Sequence, residues 1–134
     1  MKLRVGRVGA GATALAAAAT LMVSAGSASA TTDPGTTWDH TYEASGVRVY
    51  VKEYGDVVSV CDTKANGHSA VVQVRDLDWP YNYEMTAGGG VGSCKSHRAS
   101  DGAKYNLREG RGIDLYFDGD GGVLSGEGYF VNDH

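Results

Sequence analysis

This chain has few prolines, few cysteines, little basic charge and no helical patterning, and each shortage removes a class of protein. Proline, cysteine, tryptophan and phenylalanine occur twice each in 134 residues. No window of helical length carries apolar residues at three- and four-residue spacing, which argues against a helical bundle or an α/β fold. Twelve basic residues face sixteen acidic ones, a formal charge of −4. Such a chain lacks the positive field that phosphate backbones attract, so nucleic acid and anionic membranes are poor partners. The four histidines, His40, His68, His97 and His134, form no H-x-x-x-H or H-x-H pair, so no zinc spacing is visible. No internal repeat appears at a fixed period, which argues against a propeller or solenoid.

What is present begins with a leader. Lys2, Arg4 and Arg7 precede the small apolar run "ALAAAATLMV", and the segment closes on Ala28-Ser29-Ala30. A positive start, a short apolar stretch and a small-residue cleavage site make a secretory signal peptide over residues 1–30. The apolar run is about ten residues, too short for the ~20 that cross a bilayer. The expected mature chain starts at Thr31, has 104 residues and carries a charge of −7, because the leader holds three basic and no acidic residues. That length makes one domain with one modest core. In an exported chain Cys61 and Cys94 are expected to pair, since two cysteines allow a single connectivity.

Residues 31–45 show little periodicity and read as an extended arm, pinned through Trp38 or Tyr42. From residue 46 the chain reads as strands and turns. Val47, Val49 and Val51 alternate with Arg48, Tyr50 and Lys52; Ile113, Leu115 and Phe117 alternate with Asp114, Tyr116 and Asp118. Gly55-Asp56 marks a tight turn, and Asn66-Gly67 predicts a type I′ hairpin between "VVSVCDT" and "SAVVQVRD". "KYNL" reads as a short strand. The expectation is an all-β domain over 46–134, an antiparallel β-sandwich or barrel of about seven or eight short strands with one disulfide.

The motifs that carry chemistry are mostly incomplete. "GGVGSCKS", residues 89–96, misses the phosphate-loop pattern because Cys94 stands where its second glycine belongs, and no helix pattern follows. "DGDGG" offers Asp118 and Asp120 to a calcium loop, but position 5 is Gly122 and position 12 is Tyr129. With Glu127 converging from the next strand, Asp118, Asp120 and Glu127 are a weak calcium candidate and the one cofactor expectation. Ser93, His97 and Asp101 stand four apart, a spacing that aligns side chains on a helix, whereas this region reads as loop or strand. No other catalytic constellation is visible.

"DWPYNYEM", residues 78–85, concentrates the aromatic residues. At a period of two, Trp79, Tyr81, Tyr83 and Met85 share a side. Pro80 cannot donate to a ladder, so the strand lies at an edge or starts here. Trp79, Tyr81 and Tyr83 are the candidate partner-binding residues, since tyrosine and tryptophan combine large contact area with a polar handle. The competing reading is a buried strand face, or a split with Tyr83 and Met85 inside and Trp79 and Tyr81 at the rim.

At "VVSVCDTKANGHSAVVQVR" and "YNLREGRGIDLYF" the chain resembles a group of small secreted single-disulfide β-proteins of actinomycetes. The resemblance implies a secreted β-domain and assigns no catalytic residue. The functional expectation is a monomeric, non-catalytic extracellular binding module for a protein or a carbohydrate. The alternatives are a secreted protease or glycosidase inhibitor and a small extracellular hydrolase.

Overall fold

The structure, a computed structural model, describes residues 37–134 except 79 and 81. The leader, its cleavage site and most of the arm's first half lie outside the described residues. Eight strands follow: β1 (His40–Ala44), β2 (Val47–Lys52), β3 (Val57–Asp62), β4 (Ala70–Asp76), β5 (Tyr83–Ala87), β6 (Cys94–His97), β7 (Arg111–Asp118) and β8 (Gly126–Asn132). They form two antiparallel four-stranded sheets in the orders β1-β2-β3-β6 and β5-β4-β7-β8. The molecule is therefore an all-β sandwich with one disulfide.

Alternation decides which face of each strand is buried. Val47, Val49 and Val51 with Val58 and Val60 face inward from the first sheet; Val72, Val74, Met85, Ile113, Leu115 and Phe117 face them from the second. These β-branched and aromatic side chains suit a pleated, half-buried surface, and their burial is the main drive to close the sandwich. The two sheets meet along one side where Tyr42 of β1 donates a hydrogen bond to the Tyr129 carbonyl of β8 (2.7 Å). That contact occupies an acceptor on an edge strand. At one end the β1–β2 turn touches the loop after β7. A Cβ on Gly46 would lie 2.5 Å from the Gly119 carbonyl oxygen, so only two glycines let these backbones approach.

Three local expectations change. Residues 40–44, read as part of an arm, form β1, paired in register with β2 from His40↔Val51 to Ala44↔Val47. "KYNL" is not a strand; Ala103–Tyr105 is a 3-10 turn. Asn66-Gly67 does not close a hairpin, because β3 and β4 belong to different sheets. Gly67 alone of the pair has positive φ, at 77°. Asn66 instead crosses the sandwich end, donating from Nδ2 to the Gly119 carbonyl (2.8 Å). Two strands whose apolar faces must look at each other across a core cannot also pair edge to edge.

The Cys61–Cys94 bridge forms as expected, with S–S 2.00 Å. It joins directly paired residues of β3 and β6, on the side of β3 away from Val58 and Val60. It ties the four-residue edge strand β6 to its sheet.

Candidate functional site

Antiparallel order sorts the connections to two ends. One end gathers the β2–β3 turn, the described residues between β4 and β5, the two 3-10 turns with the segment before β7, and the residues after β8. Asp78, Pro80 and Asn82 of the aromatic stretch therefore lie at this end, before β5, an edge strand that begins three residues after Pro80. Two ion pairs hold the end of β4 and Asp78. Arg108 forks onto both carboxylate oxygens of Asp76 at 3.1 Å, and Arg111 reaches Asp78 at 3.0 Å. Burial opposes ionisation of Asp76, but the Arg108 hydrogen bonds and the Asp78 amide outweigh it and hold the carboxyl below its usual range.

Of the expected partner-binding residues, Trp79 and Tyr81 lie outside the described residues. Tyr83 is corrected: it is 6% exposed and belongs to the core. Its ring stands edge-on to Tyr105 (4.9 Å) and His97 (6.4 Å). Burial foremost, then the nearby Asp56 and Tyr105, push its phenol far above the ordinary range. Period-two alternation placed Tyr83 and Met85 on one face, and that face points inward.

The calcium candidates lie towards the opposite end. Asp118 Oδ2 accepts the backbone N–H groups of Asp120, Gly121 and Gly122 at 2.8–3.1 Å, which shapes the turn itself. Asp120 Oδ1 accepts from Asn66 Nδ2 at 2.8 Å and Lys64 Nζ at 3.4 Å. Glu127 sits on β8 opposite Tyr116. The Ser93, His97 and Asp101 spacing is partly realised. His97 Nδ1 lies 3.2 Å from Asp101 Oδ2 and its ring stacks on Tyr105. Ser93 donates to the Gly90 carbonyl (2.6 Å), and the extended strand between keeps it roughly 13 Å along the chain from His97.

The outer face of β5-β4-β7-β8 carries a feature that the sequence reading passed over. Glu84, Gln73, Tyr116 and Glu127 form one cross-strand row; Arg75, Asp114 and Tyr129 form the next. Gln73 donates to Glu84 (2.8 Å), Arg75 donates to Gln73 (2.7 Å), and the Arg75 guanidinium lies 4.8 Å over the Tyr116 ring. Two shallow depressions flank that contact. One, of ≈ 340 Å³, lies among Gln73, Arg75, Asn82 and Glu84. The other, of ≈ 250 Å³, lies among Asp114, Tyr116, Glu127 and Tyr129. Tyr129 is 56% exposed. Its ring covers Gly112: a Cβ there would stand 2.8 Å from the ring edge and hydroxyl. The glycine thus lets the ring lie down on the sheet and present a flat face to solvent, with Asp114 across from it and Glu127 two residues before it. Three inter-strand steps make this track about 14 Å long. The alternation of β7 already placed Asp114 and Tyr116 outward; their partnership with Tyr129 depends on the β7–β8 register.

The chain is thus a two-sheet antiparallel β-sandwich with a polar, tyrosine-bearing outer face. No family model matches it, and no curated protein matches it. Among solved structures, a DUF3244 family protein with an immunoglobulin-like β-sandwich fold from Bacteroides vulgatus is similar at 11% identity and a TM-score of 0.40, over 64% of this chain and 82% of that one. A likeness at that level leaves function to be read from the residues of this chain. No helix among the described residues is long and apolar enough to cross a membrane.

Proposed function

We propose that this chain is an exported, non-catalytic binding module whose ligand is a carbohydrate, held on the outer face of β5-β4-β7-β8. The observation that carries the proposal is the Tyr129 ring lying over Gly112 with carboxylates on two sides. A flat π-face suits the C–H face of a sugar ring, and carboxylates accept hydrogen bonds from neighbouring hydroxyls. A track about 14 Å long fits an extended oligomer better than a single compact molecule. The signal-type leader and the disulfide fit an extracellular setting, where such ligands are found. Asn82 lines the far depression beside Gln73, Arg75 and Glu84.

The test is calorimetric titration with soluble oligosaccharides of β-linked glucose, xylose and N-acetylglucosamine. Wild type is expected to bind at least one of them at micromolar to millimolar levels. Tyr129→Ala is expected to weaken that binding tenfold or more. If no oligosaccharide binds, or Tyr129→Ala binds equally well, the proposal fails. Trp79→Ala and Tyr81→Ala report separately whether the aromatic stretch takes part.

A further inference from the structure

Asp56 occupies the β2–β3 turn and is a buried carboxylate, 3% exposed. Its hydrogen bonds come from neutral donors: the Leu107 amide at 3.1 Å and Asn132 Nδ2 at 2.9 Å. Asp76, buried to the same degree, holds an arginine on both oxygens. Asp56 instead faces Glu109 and His134. Among the described residues these three offer two carboxylate oxygens and an imidazole nitrogen, all within 4.8 Å of one another. His134 Nε2 stands 3.3 Å from Glu109 Oε1. A buried anion beside a second carboxylate calls for compensating positive charge.

A separate observation points to a ligand. Asn132 is fully buried, its amide is aimed at Asp56, and its Oδ1 has no partner. Buried amide oxygens are rarely left open. An unmet buried oxygen therefore sits in the same amide that touches the carboxylate. Three connections of the chain meet here: the β2–β3 turn, the segment before β7 and the residues after β8.

We infer that Asp56, Glu109 and His134 form a binding site for a first-row divalent cation, with Zn²⁺ as its representative. The donor set selects the class. Imidazole with two carboxylates suits Zn²⁺ and its neighbours, whereas Ca²⁺ and Mg²⁺ favour all-oxygen shells. Ligand atoms ~2.1 Å from a tetrahedral ion lie roughly 3.4 Å apart, so a small inward shift of the exposed Glu109 and His134 closes the site around the fixed Asp56. Bound there, the ion joins the three connections at that end of the sandwich. This inference is independent of the carbohydrate face.

The experiment titrates ZnCl₂ into the untagged, disulfide-bonded chain by calorimetry and follows the melting temperature in parallel. One saturable site and a rise in Tm are expected. Glu109→Gln and His134→Gln, both at exposed positions, should each weaken Zn²⁺ at least tenfold and remove the rise. His68→Gln, at the opposite end, should change neither. Absence of saturable binding overturns the inference, as does equal affinity in the Glu109→Gln/His134→Gln double variant, which would leave His134 as a simple ion-pair partner of Glu109. Equal affinity for Ca²⁺ would overturn the assigned class.

Discussion

Asp56 and Asp76 are the same residue type, buried to the same degree, with opposite responses to their surroundings. Burial raises the pKa of Asp56, and hydrogen bonds from Asn132 and the Leu107 amide only partly offset it. A group raised above its unfolded value favours the folded state at pH below ~4 and loses that contribution as pH rises through its folded value. Asp76 is lowered, so its contribution is present above ~4 and is lost as pH falls through its folded value. In the presence of a chelator, Asp56→Asn should therefore gain stability relative to wild type as pH rises from ~4 to 7, read by urea unfolding across that range. Asparagine also tolerates the φ of +54° at this position. Asp76→Asn should cost about 2 kcal/mol at neutral pH and flatten the loss of stability in acid. Neither environment is legible in the sequence. Gly55-Asp56 marked the turn, but what faces its carboxylate comes from Leu107 and Asn132, far along the chain. Asp56, Glu109 and His134 likewise have no common spacing and meet only in space.

At the scale of the element, alternation was readable and pairing was not. Val47 to Val51 and Ile113 to Phe117 announced their buried faces, and Pro80 marked the approach to β5. "HTYEA" has no apolar alternation; it becomes β1 because β2 offers an unpaired edge. Asn66-Gly67 carried a strong local hairpin signal, which lost to the demand that β3 and β4 face each other across the core. Glycine substitutions separate these levels. Gly67 has nothing within 4 Å of an added Cβ, so Gly67→Ala should cost only the ~1 kcal/mol of a left-handed backbone. Gly46→Ala drives a Cβ into the Gly119 carbonyl and should cost about 3 kcal/mol or more. Thermal melts of the two variants check the ranking; equal costs would mean that the β1–β2 turn and the loop after β7 part easily.

Across the whole molecule, composition and cysteine count gave the class, an all-β sandwich with one bridge, because those features need no knowledge of strand order. The candidate face needed the order: Tyr129 meets Asp114 only once β7 and β8 are in register. Strand order also separates stability from binding. The bridge lies in the β1-β2-β3-β6 sheet, whereas the tyrosine track lies wholly on the other one. It closes a sequence separation of 33 residues, so loop entropy gives it about 3–4 kcal/mol. Cys61→Ser/Cys94→Ser should lose that much in urea unfolding, and hydrogen exchange should quicken first in β6, a short edge strand otherwise held by one neighbour. Under conditions where the double variant remains folded, its affinity for the oligosaccharide that wild type binds should stay within twofold. A large loss of affinity with the folded state intact would show that the two sheets are coupled, and that the track depends on the packing of the β-sandwich as a unit rather than on the four strands that display it.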